Sequence, residues 1–301
     1  MTVSSTMPVP PVGVVGLGQL GGSLAAALTA AGRSVAGWDV DPAARSAAAA
    51  RGVEITQEFS GVVVVAVPLP AMAEALDGLS VDPDATITDL GSVKQPVLAS
   101  VGTAYGRRFV GGHPMCGTER SGHEAVDPAL FTGARWAVCL DEGTELPRWL
   151  RVAEVALTVG AEVVPVTSAE HDAAVAAVSH VPHLLAAALA AAAGEAGPLA
   201  LTLAAGSFRD GTRVIASDPA FVTAMVEGNA GPVGSALDRV LAQLARPWPE
   251  LIAAGHAVRT AGPERRPVRV PLERAALLSV GRAGGAVTGR QAAFLEGWMP
   301  A

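Results

Sequence analysis

Short apolar runs alternate with alanine-rich helical patterns over the first 166 residues of this 301-residue chain. The runs read as strands because they are short, rich in valine and bounded by glycine, proline or aspartate. The run at 61–67 is apolar at nearly every position, which is typical of a strand buried on both faces of a parallel sheet. The predicted strands are 12–15, 34–38, 61–67, 86–90, 109–110, 136–140 and 162–166.

Helical patterns lie between these strands, up to about residue 31 and at 41–52, 71–78 and 146–159. This alternation predicts an α/β Rossmann domain with a doubly wound, mostly parallel sheet. From Ser168 onward the periodicity is helical, and we find no convincing strand after Val166. We therefore expect two domains, the Rossmann domain at 1–166 and an all-helical domain at 167–301.

The helical half begins with a long apolar stretch at 168–197. Ser168 suits the N-cap position of its first helix. Pro182 lies inside the stretch and should break or kink it beside His180 and His183. Further helices are predicted at 199–205, 219–227, 233–244 and 272–278.

The first strand runs into the motif Gly16-Leu17-Gly18-Gln19-Leu20-Gly21, and the second strand ends on Asp39. The glycines alone are weak support, but a strand before them, a helix after them and this acid together favour a dinucleotide-binding unit over another glycine-rich turn. The three glycines permit a tight turn, close approach of a pyrophosphate and close helix packing. Asp39 would accept hydrogen bonds from the adenosine ribose, so we expect NAD as cofactor. Arg45 nearby leaves tolerance of NADP open.

Two further strands are followed by residues that could line the same site. Val67 and Pro68 end the run at 61–67, and Ser92 with Lys94 follows the run at 86–90. Ligands of open α/β sheets bind outside the carboxyl ends of the strands. Val67, Pro68 and Ser92 therefore join the predicted cofactor site.

Composition narrows the class of protein. Half of the residues are hydrophobic and 16% are charged, which supplies a large core. We find no uninterrupted apolar stretch of about 20 residues and no secretory signal, so no membrane association is expected. Two cysteines support neither a disulfide framework nor a cysteine metal site and fit the cytoplasm. The net charge of −7 argues against non-specific nucleic-acid binding.

Histidine is the usual base for removing a hydroxyl proton, because its pKa lies near neutrality. His113 follows two glycines after a predicted strand, which is an unusual place for a packing histidine, so it is the candidate base. His180 and His183 could share one helix face, or they could bond carbonyls freed by Pro182. A metal site made from these three histidines lacks a carboxylate partner, and we expect no metal.

Arg209 and Arg213 lie four residues apart, with Asp210 between them. They could form a solvated ion-pair face or a clamp for a carboxylate, to which the planar guanidinium is suited. His171 and Asp172 stand together near a helix start, where we expect a capping or surface role.

Five segments resemble the prephenate dehydrogenase family of tyrosine biosynthesis, and they occur in that family's order. They are GLGQLGGS, DLGSVK, GGHPMCGTERSG, SHVPHLLA and SFRDGTRVIASDP, within roughly residues 12–229. GGHPM followed by T-E-R-S-G and then by SHVPH is far more specific than the glycine motif. One departure follows Asp218-Pro219, where Ala220-Phe221-Val222 replaces the aromatic residue, often Met-Trp, of many members.

The resemblance implies a reaction and roles for residues. NAD would bind the first domain and take the C4 hydride of prephenate while His113 takes the C4 hydroxyl proton, and loss of CO₂ would give 4-hydroxyphenylpyruvate. Ser92 would orient His113 and the hydroxyl. Arg213 would hold the ring carboxylate, and His180 and His183 would contact the pyruvyl side chain. The same segments supply the remaining substrate-site candidates, Thr118, Glu119, Ser179 and Arg209. Members are homodimers joined through the helical domain, which implies the same here.

Other functions stay open. Arogenate, or an amino-substituted prephenate, would use nearly the same residues. A β-hydroxyacid dehydrogenase would need a lysine on the helical domain, and this chain has none after Lys94. From a different class, a non-catalytic NAD-binding sensor is opposed by the intact set of His113, Ser92 and Arg213.

Overall fold

The computed structural model describes residues 10–72, 74–116, 122–262 and 264–301. The chain forms two compact units. Unit 1 extends to Ser168 and also contains the segment after Gly262, whereas unit 2 is Ala169–Gly262. The candidates Thr118 and Glu119 fall outside the described residues.

The strands lie in unit 1. In chain order they are β1 (Val12–Val15), β2 (Val35–Trp38), β3 (Glu54–Ile55), β4 (Glu58–Phe59), β5 (Val62–Val65), β6 (Ser80–Val81), β7 (Thr86–Asp89), β8 (Phe109–Val110), β9 (Gly112–Pro114), β10 (Arg135–Cys139), β11 (Glu162–Val166), β12 (Arg265–Pro271), β13 (Ala286–Arg290) and β14 (Phe294–Pro300).

The α-helices occur in both units. They are α1 (Gln19–Ala30), α2 (Pro42–Ala49), α3 (Gln95–Tyr105), α4 (Leu146–Thr158), α5 (Ser168–Val175), α6 (Val181–Glu195), α7 (Pro198–Thr202), α8 (Gly206–Thr212), α9 (Pro219–Glu227), α10 (Ala230–Leu244), α11 (Trp248–Thr260) and α12 (Arg274–Arg282). The prediction of a helix at 71–78 is wrong, because a 3-10 turn at Leu69–Ala71 leads into further turns there. The α3, α8 and α11 helices were not predicted.

The first sheet of unit 1 has the order β3-β2-β1-β5-β7-β8, with all neighbours parallel. β1 and β5 pair from Val12 with Val62 to Val15 with Val65, and every residue of both strands is buried. Continuous valine runs suit these strands because both faces of the sheet are covered. The chain reverses its direction of growth between β1 and β5, which is where open α/β sheets bind ligands. The predicted parallel sheet is confirmed.

β10 and β11 belong to a second sheet, and the prediction that one sheet contains all the strands is wrong. The order of the second sheet is β12-β14-β13-β11-β10-β9, in which only β10 and β11 run parallel. The chain crosses from the first sheet to the second at Gly111, between β8 and β9. A Cβ there would lie 3.2 Å from Cys139 Sγ and 3.3 Å from Lys94 Cδ, so the close packing at the crossing favours glycine.

The segment after Gly262 contains β12, β13 and β14, so the expectation of an all-helical domain to residue 301 is wrong. The helix predicted at 272–278 lies instead at Arg274–Arg282. β13 pairs with β11, which brings this segment into unit 1. β12 is an edge strand with three arginines and two prolines, and one of its residues, Val270, is buried. Edge strands tolerate such residues, which is why the local pattern did not predict a strand.

Every regular element of unit 2 is helical. α5 and α6 are joined by a π-helical turn at Ala176–His180, so the chain remains helical around Pro182. A π turn admits one extra residue into the helix, and such turns are frequent at functional sites. The buried hydrophobic cluster of unit 2 is small and comprises Ala176, Val181, Val233 and Ala236.

Large apolar side chains of unit 2 are exposed in the single chain: Val178, Leu185, Leu189, Leu199, Leu201, Leu203, Phe221, Leu241, Leu244, Trp248, Ile252 and Val258. Within the part of the chain that the structure describes, one helical stretch, Ser168–Glu195, is long and apolar enough to cross a membrane. Length and composition alone are weak support for a membrane span. An exposed apolar surface also suits association with another protein chain.

Candidate functional site

The glycine loop of unit 1 connects β1 to α1 in the way the motif predicts. Gly16 has φ of 94°, and a Cβ there would lie 2.6 Å from the main-chain oxygen of Ala66. A Cβ at Gly21 would lie 1.9 Å from the oxygen of Gly16, so the helix packs directly on the turn. A Cβ at Gly18 would meet nothing within 4 Å, although Gly18 is the N-cap of α1. Open space therefore lies beside the N-terminus of the helix, a position that favours an anion.

Asp39, at the end of β2, is bound to this loop. Its Oδ2 accepts a hydrogen bond from the Leu17 N–H at 2.6 Å, and its Oδ1 accepts one from the Asp41 N–H at 2.8 Å. Arg45 donates to the main-chain oxygen of Asp39 at 2.6 Å, and its guanidinium lies 4.6 Å from the ring centroid of Trp38. Both side chains are thus held at the carboxyl end of β2.

The predicted cofactor residues after β5 and β7 lie at the same edge of the first sheet. β5 ends at Val65 and β7 at Asp89, so Val67, Pro68 and Ser92 follow the carboxyl ends of strands adjacent in the sheet. The Val67 side chain would lie 2.9 Å from a Cβ built on Gly16, which places the β5 turn against the glycine loop. The structure therefore brings together these predicted residues.

A buried ion pair at the end of β7 holds the main chain next to His113. Asp89 and Lys94 are 0% and 1% exposed and form a close salt bridge. Asp89 Oδ1 accepts the Gly112 N–H at 3.0 Å, and Lys94 Nζ donates to the Gly112 carbonyl at 2.6 Å. Sequence reasoning grouped Lys94 with Ser92 but missed Asp89. The available signal was a carboxylate at the end of an apolar strand, five residues before the chain's single lysine.

His113 is the central residue of β9, where it lies opposite Ala137 of β10 and is half-buried. The cysteines of unit 1 are poor alternatives as reactive groups. Burial raises the pKa of the Cys139 thiol to about 12 and that of the Cys116 thiol to about 11. Both thiols are protonated at neutral pH, which leaves little of the reactive thiolate.

In unit 2, the two histidines of the SHVPH segment have different surroundings. His183 is half-buried, and its Nδ1 lies 2.8 Å from the main-chain oxygen of Ser179. His180 is fully buried, with Nδ1 3.1 Å from the amide nitrogen of Asn229. Burial lowers the pKa of His180 to about 4, so its ring is neutral at physiological pH. The two side chains thus differ in exposure, and their sharing of one helix face stays a prediction.

Two further expectations in unit 2 have different outcomes. His171 and Asp172 are buried, and His171 Nδ1 lies 2.8 Å from Asp172 Oδ1, so the expected surface role is wrong and the capping role stays a prediction. Arg209 lies on α8, Arg213 begins the following 3-10 turn, and both side chains are exposed. An exposed guanidinium can bind either an anion or solvent, so both earlier interpretations of this pair stay open.

Two family profiles match the chain. "Prephenate dehydrogenase, nucleotide-binding domain" matches residues 24–165, and "Prephenate dehydrogenase, dimerization domain" matches residues 167–255. The crystal structure of Aquifex aeolicus prephenate dehydrogenase in complex with hydroxyphenyl propionate and NAD⁺ is 30% identical, over 84% of this chain and 94% of that one, with a TM-score of 0.74. The chain belongs to the prephenate dehydrogenase family. The predicted order of a nucleotide-binding domain followed by a helical domain is therefore confirmed.

Other members of the family differ in name and in length. Prephenate dehydrogenase of Bacillus subtilis is 32% identical over 69% of this chain, and the match spans 61% of that relative, which is less than two thirds of its length. The crystal structure of Synechocystis arogenate dehydrogenase is 28% identical, over 83% of this chain and 97% of that one, with a TM-score of 0.69. Both family profiles end before the strands at 265–300.

Proposed function

We propose that this chain is an NAD-dependent dehydrogenase that converts prephenate to 4-hydroxyphenylpyruvate and CO₂. The observation that carries the proposal is the anchoring of β9 to the first sheet. His113 follows Gly112, whose N–H and carbonyl are bound by Asp89 and Lys94 at the carboxyl end of β7. This is also the edge of the glycine loop, so a base and a dinucleotide can serve one reaction there.

The glycine loop fits a dinucleotide. The open space at Gly18 lies beside the N-terminus of α1, where N–H groups and the positive end of the helix dipole favour a pyrophosphate. Asp39 is held at the end of β2, where a carboxylate can receive the ribose hydroxyls. NAD⁺ bound there would supply the hydride acceptor.

His113 is the proposed general base. It takes the proton of the C4 hydroxyl as the C4 hydrogen leaves with its electron pair, and C4 becomes a carbonyl. The ring carboxylate then leaves as CO₂, its bonding electrons make the ring aromatic, and the new phenolic oxygen takes a proton back from His113. Ser92, at the same sheet edge, would orient His113 and the hydroxyl. His113 therefore ends the reaction in the state in which it began.

For unit 2 we propose that Arg213 binds the ring carboxylate and His183 the pyruvyl group. An exposed guanidinium and a half-buried imidazole can each meet a ligand. His180 is fully buried, so we assign it a supporting role instead of direct contact. Ser179, Arg209, Thr118 and Glu119 are kept as substrate-site candidates.

Prephenate is the proposed substrate for a chemical reason. Hydroxyphenyl propionate, bound by the Aquifex relative, shares with 4-hydroxyphenylpyruvate a hydroxyphenyl ring and a three-carbon acid. Arogenate, on which the Synechocystis relative is named, carries an amine where prephenate carries a ketone, and it is the second candidate.

The test is NADH formation by the purified chain with prephenate and with arogenate. We expect activity on prephenate and a loss of about 10²- to 10⁴-fold in His113→Asn, because that is the usual contribution of a general base. His256→Asn, an exposed histidine of α11, should retain activity. Activity on arogenate alone would reassign the substrate. NAD binding without activity on either compound would favour the sensor function.

We also propose that unit 2 mediates a homodimer. The family profile over residues 167–255 is that of a dimerization domain, and the single chain exposes many leucines there. Burial of this surface in a partner would remove apolar area from water at about 25 cal/mol per Å². Sedimentation analysis should give twice the chain mass, and a monomer at micromolar concentration would contradict the proposal.

A further inference from the structure

Lys94, the only lysine of the chain, is buried and has no direct role in the proposed reaction. Lys94 is 1% exposed, and its ammonium is paired with Asp89, which is also buried. Burying an ion pair brings little net stability, because desolvation of the two charges offsets their attraction. The arrangement therefore calls for a reason other than stability.

The pair binds both polar groups of one residue. Asp89 Oδ1 accepts from the Gly112 N–H at 3.0 Å, and Lys94 Nζ donates to the Gly112 carbonyl at 2.6 Å. Gly112 also packs closely on the end of β7, since a Cβ built on it would lie 2.7 Å from the main-chain oxygen of Asp89 and 3.0 Å from Thr88 Oγ1. The peptide that enters His113 is therefore fixed to the end of β7.

The same carboxylate also holds the loop that leads to Ser92. Asp89 Oδ2 accepts the Gly91 N–H at 2.9 Å. Asp89 belongs to the first sheet, whereas Gly112 belongs to the second. One ion pair thus sets the Ser92 loop and the His113 strand relative to each other across the two sheets. Lysine suits this position because its ammonium can donate to several acceptors in different directions.

We propose that Asp89 and Lys94 are the positioning pair of His113, which fix its main chain at the cofactor edge and thereby place its imidazole for proton transfer. This inference rests on the proposed function. A displacement of about 1 Å at a reacting group can reduce a rate about 100-fold. The pair acts through His113 and need not touch the substrate.

The kinetic test uses the double variant Asp89→Asn/Lys94→Met, which removes both charges together. We expect kcat to fall about 100-fold while the KM for NAD⁺ changes less than about threefold, because proton transfer is displaced but the glycine loop is intact. The single variant Lys94→Met leaves the Asp89 carboxylate buried without its counter-charge and is expected to be less stable than the double variant.

The matched control lies at the opposite end of β7. Arg148 donates to the main-chain oxygens of Asp84 and Ala85 at 3.0 and 3.2 Å, and its side chain is 17% exposed. Arg148→Met removes a cation that binds main chain beside the same strand, without contact to Gly112. It should lower the melting temperature and leave kcat within about twofold. An equal loss of kcat in both variants would show a general effect of destabilisation and overturn the proposal.

A second measurement does not depend on turnover. The ring resonances of His113, assigned by their absence in His113→Asn, should shift in the double variant and remain unchanged in Arg148→Met. If the wild type turned over neither prephenate nor arogenate, the proposed function would fail while this shift still reported positioning. A double variant with wild-type kcat and unshifted His113 resonances would refute the positioning pair.

Discussion

A buried polar network lies in each unit, and the two networks differ in charge. In unit 1, the Asp89–Lys94 network is an ion pair whose members also bind the main chain of Gly91 and Gly112. In unit 2, the Asn229–His180 network is built on an amide and a neutral imidazole. The amide nitrogen of Asn229 donates to the carbonyl of Asp172 at 2.8 Å and lies 3.1 Å from His180 Nδ1.

The difference shows two ways to satisfy buried polar groups. The charged network binds peptide groups on separate segments and specifies where a strand lies. The neutral network joins α5, the π-helical turn and the start of α10, and its imidazole is uncharged at physiological pH because desolvation lowers the pKa of His180 to about 4. The charged network therefore depends on keeping both partners, whereas the neutral one depends on pH.

The largest expected effect comes from breaking the charged network on one side. Asp89→Asn keeps the size of the side chain but leaves the Lys94 ammonium buried without a counter-charge. We expect the free energy of unfolding to fall by about 3–5 kcal/mol, as for other buried pairs that lose one partner. Urea titration followed by circular dichroism measures this loss.

The matched variant in the neutral network is Asn229→Ala. It leaves the Asp172 carbonyl and His180 Nδ1 without the amide, which should cost about 1–3 kcal/mol. A cost in Asn229→Ala equal to or above that in Asp89→Asn would contradict the distinction between the networks.

A smaller effect follows from acidification of the neutral network. The pKa of His180 is lowered from 6.5 to about 4 in the folded state, so between these values the unfolded chain binds a proton that the folded chain does not. The stability that depends on the neutral His180 ring is therefore fully present above pH 6.5 and is lost as the pH falls toward 4. At pH 4 the free energy of unfolding is expected to be lower by up to about 3 kcal/mol. Unfolding titrations at several pH values between these limits measure the slope.

His180→Asn should flatten this part of the pH profile, because asparagine offers an acceptor near the former Nδ1 but does not titrate. His256→Asn, which replaces an exposed histidine of α11, is the matched control and should keep the wild-type slope. An unchanged slope in His180→Asn would assign the acid sensitivity to another group.

The sequence predicted the features that depend on contacts between residues close along the chain, and it missed those that depend on contacts between distant residues. The glycine loop, Asp39 and the valine strands were predictable because turn sterics and burial on both faces leave a local pattern. The strands after Gly262 left none, since β12 is an exposed edge strand and β13 becomes a strand by pairing with β11 and β14. The burial of His171 and Asp172 could not be predicted either, because it involves Asn229, which binds the Asp172 carbonyl of α5 from 57 residues away.

The sequence by itself determined the nucleotide-binding loop, the parallel first sheet, the helical character of unit 2 and, through its motifs, the family. These features depend on residues that are close along the chain, or on patterns that repeat along a single element. The tertiary structure alone decided that the chain crosses between two sheets at Gly111 and that Asp89 and Lys94 hold Gly112. These hydrogen bonds join Gly112 of the second sheet to Asp89 at the end of β7 and to Lys94 in the loop after it, which stand 23 and 18 positions earlier in the chain. Their geometry therefore exists only when both sheets are folded.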